Sequence, residues 1–197
     1  MSIIYSPNYK KENTKWIVIH HSGGIGNNPL ASTKNFTADT INKAHQARWN
    51  YKSSLGYFGG YNFFIDAWGN RTQFRAVGEE TMAQRGYNFS GIVISVCLAG
   101  NFTKGVDMPS VAQENALREL CKELPQVAPY NIVPHRSLGQ TDCFGTGLKD
   151  DWARNAILDR NTQLSLMAQM LSNMMDILRK LQSKSLGGVA SDDGCHL

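Results

Sequence analysis

The sequence predicts an α/β protein: a central mixed β-sheet flanked by helices, with an extra amphipathic helix near its C-terminal end. Three observations predict it. Ile92 to Leu98 is an almost wholly apolar, β-branched run, which is how a central strand covered on both faces reads. Two strand-like runs, Tyr61 to Ala67 and Arg71 to Ala76, flank the turn formers Trp68-Gly69-Asn70, the pattern of a hairpin. Segments of helical period stand between and beyond these runs. Sheet and helices must then share one core.

Taken in order, residues 1–15 read as an irregular polar leader, in which Ile3-Ile4-Tyr5 has the composition of a short strand. Trp16 to Ile19 is an apolar run and reads as the first strand. Ser22 to Lys34 is rich in Gly, Asn, Pro and Ser and reads as a loop. A helix runs from about Ala38 to Trp49 with Thr37 as its N-cap, and Asn50 to Gly60 is a second loop. After the hairpin and the central strand, Pro109-Ser110 opens another helix. Ser110 and Gln113 have the spacing of a capping box, Leu117, Leu120, Cys121 and Leu124 repeat at helical spacing, and Pro125 stops the helix. Asn131 to Val133 is a short strand that leads into His135.

Composition narrows the function. A chain of 197 residues with 42% hydrophobic and 18% charged residues suits one globular domain with an appendage. The net charge of +4 favours approach to an anionic wall or membrane surface, and the absence of a Lys/Arg run argues against nucleic acid. Cys97, Cys121, Cys143 and Cys195 are scattered, which is no disulfide framework, so reduced thiols and synthesis in a cytosol are expected. Met1 to Lys15 lacks the apolar core of a secretory signal, and no stretch has the apolar length of a membrane-spanning helix.

The chemistry concentrates in Pro134-His135-Arg136-Ser137-Leu138-Gly139-Gln140-Thr141-Asp142-Cys143-Phe144-Gly145. This turn-rich stretch joins a histidine to a cysteine, both zinc-ligand types. Two ligands do not make a site. The pair His20-His21 ends the first strand, and either histidine could complete it, because neighbours in a strand face opposite sides. Three protein ligands of the His/His/Cys kind leave a fourth position for water, which distinguishes a catalytic zinc site from a closed structural one.

Four blocks, in order over about residues 14–158, resemble the zinc-dependent N-acetylmuramoyl-L-alanine amidases of the phage-lysozyme and peptidoglycan-recognition-protein type (type 2 amidases). They are Trp16-Ile17-Val18-Ile19-His20-His21-Ser22, Gly60-Tyr61-Asn62-Phe63-Phe64-Ile65-Asp66, the segment from Gly86-Tyr87-Asn88 to Val96-Cys97-Leu98-Ala99-Gly100-Asn101-Phe102, and the His135–Cys143 stretch. The resemblance implies the amidase fold, a zinc ion held by His20, His135 and Cys143, and a catalytic tyrosine at Tyr61, with Tyr57 a rival. His21 would then lie on the opposite side or behind the ligands. It implies peptidoglycan as substrate, with zinc-activated water hydrolysing the amide between N-acetylmuramic acid and L-alanine of the stem peptide. Thr141 stands where phage-type relatives carry lysine and recognition-protein amidases carry threonine, so its hydroxyl is the expected substrate donor. Gln84 replaces a histidine often found in the third block, which removes an expected substrate contact. His45 matches a family histidine that either packs or meets substrate. Cys97 and Cys121 fall at core positions, and no carboxylate general base is evident, Glu79 and Glu80 included.

The expected role is that of a phage endolysin, made in the host cytoplasm without a signal peptide and acting on the cell wall after holin-type release. The alternatives are a cytosolic amidase that recycles muropeptides and a non-catalytic peptidoglycan-binding module. From about Trp152 to Lys184 the period is helical, with Leu164, Leu171 and Leu178 at one heptad position and Met167, Met174 and Leu181 three residues after each. Met170, Met175 and Ile177 widen that stripe. The chain thus divides into a catalytic domain, 1–158, an amphipathic helix, 159–186, and a disordered tail, 187–197. The helix is expected to pack on the domain, to self-associate, or to meet anionic lipid, a cationic balance in which Arg154, Arg160, Arg179, Lys180 and Lys184 outnumber Asp159 and Asp176 suiting the last.

Overall fold

The first strand, β1 (Trp16–His21), is buried from Ile17 to His20 and lies inside a five-stranded sheet. In this computed structural model, which describes residues 2–84, 92–125, 127–158 and 160–186, the sheet also contains β2 (Phe63–Ile65), β3 (Arg71–Gln73), β4 (Val93–Leu98) and β5 (Ile132–Pro134). Their spatial order is β3-β2-β4-β1-β5. Only β3 runs antiparallel to its neighbour, so the sheet is mixed, as expected. The Gly86-Tyr87-Asn88 block, Asp159 and the tail at 187–197 with Cys195 and His196 lie outside the described residues.

Strand alternation sorts the sheet's side chains onto two layers. Ile17, Ile19, Phe63, Ile65, Ile94, Val96 and Leu98 pack with Leu117, Leu120 and Leu124 around α2 (Val111–Glu123) and with Ala153 of α3 (Trp152–Ile157). On the other face Phe64, Phe74, Cys97 and Ala99 meet Ile41 of α1 (Ala38–Trp49). The register pairs His20 with Cys97 across β1 and β4, and Cys97 with Phe64 across β4 and β2. Both helices carry the caps expected from their sequence. Thr37 accepts from the Thr40 N–H, and Ser110 accepts from the Gln113 N–H while Gln113 accepts from the Ser110 N–H.

Several boundaries differ from expectation, each for a local reason. The strand expected at Tyr61–Ala67 is only Phe63–Ile65, because the Asn62 side chain takes over the ladder. Its amide donates to Ala76 O and its oxygen accepts from the Ser95 N–H. The chain therefore leaves the sheet at Asn62, and Tyr61 lies outside the strand. The return strand expected to Ala76 ends at Gln73, beyond which Val77 bridges Tyr5 and donates to Ile4 O, so the expected Ile3–Tyr5 strand pairs only as an isolated bridge. The turn between β2 and β3 is organised by Asp66, whose Oδ1 accepts from the N–H groups of Trp68 and Asn70.

The side chain of Arg75 is fully buried and donates to Gly59 O, Tyr51 O and Glu80 O. It fixes the loop that leads into Tyr61 and also pairs with Glu79 at 3.7 Å; removing the ionic partner of a buried charge costs about 3–5 kcal/mol.

The helical pattern read as continuous from Trp152 is two helices. In α3, Ala153 and Ala156 are buried, and Trp152 lies 5.7 Å from Phe144, so this short helix belongs to the unit formed by residues 1–157. Residues 158–197 form a second unit containing α4 (Arg160–Leu186). Within it Met167, Met170, Leu171, Met174, Met175, Ile177, Leu178 and Leu181 are each more than half exposed. No helix among the described residues is long and apolar enough to cross a membrane.

Candidate metal centre

Three elements meet at the C-terminal end of the parallel strands. β1 delivers His20, which is 1% exposed and faces the α1 side of the sheet. β5 ends at Pro134, and the next residue, His135, opens a short turn through Ser137. The segment after that turn folds back so that the Arg136 N–H donates to Cys143 O at 2.8 Å. The potential ligand atoms of His20, His135 and Cys143 all lie within 4.8 Å of one another, and this is the one such His/Cys/Asp/Glu group among the described residues. Cys143 Sγ is 3.7 Å from His20 Nδ1, and the two imidazole centroids are 4.6 Å apart.

Arg136, to which no role attaches from sequence alone, holds this fold-back. Its guanidinium donates to Gly145 O at 2.7 Å, to Leu148 O at 2.7 Å and to Asp150 Oδ1 at 2.6 Å, and it lies over the Phe144 ring. A planar fork with several donors suits such a clamp better than a lysine would. Gly145 is needed as glycine: its φ is +102°, and a Cβ there would come within 2.3 Å of the Phe102 backbone.

The electrostatics suit a cation. Burial holds the His20 pKa well below that of free imidazole, with His135 adding to the effect, and burial also lowers His135. Both rings are therefore neutral near pH 7, each with a lone pair to offer. Burial pushes the Cys143 thiol up to about 12, although the His21 backbone N–H and Arg136 oppose this. A thiol in that state exchanges its proton for a metal ion when one binds. Two neutral imidazoles and one displaceable thiol proton form a donor set that fits zinc.

Tyr61 stands beside this group, its ring 5.1 Å from His20 and 5.4 Å from His45. Burial raises its pKa well above that of free phenol, with Cys97 and Cys143 reinforcing the shift. Its hydroxyl therefore keeps its proton and remains a donor. His45 packs on Trp49 at 4.5 Å, and its Nδ1 accepts from the Gly60 N–H at 2.9 Å. Burial lowers its pKa to about 4. It thus fixes the backbone one residue before Tyr61. Tyr57, the rival tyrosine, packs on Phe74 and lines a separate cavity with Ile4 and Gln73.

A cavity of about 340 Å³ opens on the His21 side of Cys143, lined by His21, Asn101, Thr141 and Asp142 among others but not by His20, His135 or Tyr61. The Thr141 hydroxyl oxygen accepts from the Cys143 N–H at 3.2 Å, which leaves its own hydrogen free to donate. His21 lies on the opposite face of β1 from His20, where its Nδ1 accepts from the Phe102 N–H. Cys121 is buried among apolar side chains, and Cys97, also buried as its position in the sequence implies, is a hydrogen-bond partner of the Tyr61 side chain. Glu79 is engaged by Ser54 and the Ala76 N–H, and Glu80 by Tyr51, so both serve the loops. Gln84, which in sequence reads as a lost substrate contact, is instead buried against His20.

Comparison with known proteins agrees with this architecture. The family described as N-acetylmuramoyl-L-alanine amidase matches residues 10–151. The chain is 28% identical over 136 residues to peptidoglycan-recognition protein SC2 of Drosophila melanogaster, an alignment spanning 68% of this chain and 69% of that protein. Among solved structures it resembles the N-acetylmuramoyl-L-alanine amidase LysC from Clostridium intestinale, with a TM-score of 0.51 and 23% identity over 75% of this chain and 88% of that one. It also resembles the Ph2119 endolysin from a Thermus scotoductus bacteriophage, with a TM-score of 0.55 and 19% identity over 73% of this chain and 84% of that one. With the matched segment spanning the sheet and all three clustered residues, the chain belongs to the N-acetylmuramoyl-L-alanine amidase family.

Proposed function

We propose that the protein is a zinc-dependent peptidoglycan hydrolase that cleaves the amide between N-acetylmuramic acid and L-alanine of the stem peptide. The observation that carries this reading is the gathering of His20, His135 and Cys143 within 4.8 Å, with the Tyr61 ring 5.1 Å from His20. His20, His135 and Cys143 would hold the ion. When bound, zinc supplies a Lewis acid and lowers the pKa of water to about 7. The chain's own part is to orient the amide and to meet the charge that develops on its carbonyl oxygen. Tyr61, held protonated by burial, donates to that oxygen as it becomes negative. Thr141, two residues before Cys143 and bonded to its N–H, would donate a second hydrogen bond to substrate. His45 keeps Tyr61 in place through Gly60.

The role we propose is that of an endolysin made in a host cytoplasm and reaching the wall after holin-type release. The likeness to a phage endolysin structure and the net charge of +4, suited to an anionic wall, support it. A non-catalytic binding module is the competing reading, favoured by the relative named a peptidoglycan-recognition protein. The complete donor set weighs against it, since binding a glycopeptide does not require three convergent metal ligands. For α4 we propose pairing with a second copy of the chain. Its Leu and Met stripe holds heptad register, and soluble monomers avoid so long an exposed apolar face.

Digestion of purified sacculi is expected to release stem peptides with new L-alanine amino termini, and a chelator is expected to stop it. Intact sacculi after prolonged incubation of the zinc-loaded protein would overturn the enzymatic reading. Cys143→Ser should lose zinc and lysis together, because a hydroxyl stays un-ionised at neutral pH where a thiolate binds. Full zinc content by elemental analysis would remove Cys143 from the site. Tyr61→Phe should keep fold and metal and lose hydrolysis by roughly 10²-fold, the scale of one oxyanion donor. Near-normal turnover would reduce Tyr61 to a packing residue. Removal of residues 159–197 is expected to lower the mass seen by light scattering while hydrolysis of sacculi persists. An unchanged mass with lost lysis of intact cells would instead assign α4 to lipid.

A further inference from the structure

A histidine can present only one ring nitrogen to a metal, and the other nitrogen decides which one. His20 Nε2 lies 3.0 Å from Oε1 of Gln84, a side chain that is itself only 2% exposed. A side-chain carbonyl oxygen can only accept, so the hydrogen of the neutral ring sits on Nε2. Nδ1 is thereby left with its lone pair, on the side where Cys143 Sγ stands 3.7 Å away. The acceptor is itself held. Ser95 in β4 is fully buried, and its hydroxyl donates to the same Gln84 oxygen at 3.0 Å. Ser95 is fixed in turn by the hydrogen bond from its N–H to Asn62 Oδ1 at 2.9 Å.

We propose that Gln84 is a positioning residue of the metal centre: its carbonyl oxygen, supported by Ser95, selects the Nε2–H form of His20 and so aims Nδ1 at the ion. This rests on the reading of His20 as a ligand. An amide suits the place for a physical reason. A carboxylate would accept equally well but would add a buried negative charge with no cation beside it until metal arrives. Glutamine gives the acceptor without the charge, and the ligand is preset in the metal-free protein.

The test uses the full-length chain. The ring tautomer of His20 is read in the metal-free protein by long-range nitrogen–proton NMR. Zinc affinity is read by competition with a chromophoric chelator, in the native protein and in Gln84→Met, which fills similar space and has no carbonyl oxygen. Circular dichroism checks the fold. The native protein is expected to hold His20 with its hydrogen on Nε2. Gln84→Met should remain folded, bind zinc roughly 10- to 100-fold more weakly, the usual effect of losing such a partner, and show a mixture of His20 tautomers. Ser95→Ala should weaken zinc binding in the same direction by less. Native-like zinc affinity in folded Gln84→Met, or a hydrogen on Nδ1 in the native protein, overturns the proposal. If Gln84→Met does not fold, the native tautomer alone decides. If the native protein binds no zinc, the metal reading fails, while the tautomer still shows whether Gln84 sets the ring.

Discussion

The constraint on which this structure depends is that His20 must be buried and uncharged at once. A strand flanked on both sides by parallel neighbours places its residues out of reach of water, and the His20 ring at the end of β1 shares that fate. An imidazolium there would be a buried charge with His135 beside it, and such a charge is expelled by a shift of pKa rather than tolerated. The ring therefore stays neutral. It needs a partner for the hydrogen it keeps, which Gln84 supplies, and it turns its lone pair toward Cys143.

The rest of the centre comes from loops, and loops need something to hold them still. Here that work falls to side chains that replace backbone pairing. Asn62 occupies hydrogen-bonding positions on both β4 and the segment after β3, so the chain can leave the sheet and still satisfy its neighbours. Arg75 gathers three carbonyl oxygens from the loops before and after Tyr61. Arg136 does the same for the segment that carries Cys143. Each is a polar group with several hydrogen bonds inside or at the edge of the core. Such groups are expensive to leave unpaired, and so they define one arrangement of the chain around them.

This division explains what could be read from the sequence. Apolar periodicity made β1, β4, α1 and α2 legible, because burial of one or both faces leaves a mark on every residue of the element. The gathering of His20, His135 and Cys143 was legible because metal-binding chemistry is limited to few residue kinds. The late start of β2 at Phe63 was not legible, since an asparagine that caps a ladder looks in sequence like one in a turn. The break between α3 and α4 was hidden because helical spacing continues across it. The burial of Ala153 and Ala156 and the contact of Trp152 with Phe144 mark α3 as part of the sheet-containing unit. Gln84 and Arg136 carry no local signature at all. Their partners lie 64 residues away in one case and among loop carbonyls in the other, so only the folded chain brings the pairs together.

The same division bears on the proposed reaction. A binding groove is served by donors and acceptors spread over a surface, each free to adjust to its ligand. The groups here converge, and several are pinned from behind: His20 by Gln84, Gln84 by Ser95, and the backbone before Tyr61 by His45. Pinning of that kind lowers flexibility, which gives little advantage for adapting to varied ligands. It has a large effect where charge develops at one fixed point and dipoles must already face it. Tyr61 illustrates the difference. Burial makes its phenol a poor acid, so it cannot lose its proton near neutral pH, yet a group that keeps its proton is the donor a developing oxyanion needs. In the proposed hydrolysis that donor would meet the carbonyl oxygen as the amide passes through its tetrahedral state.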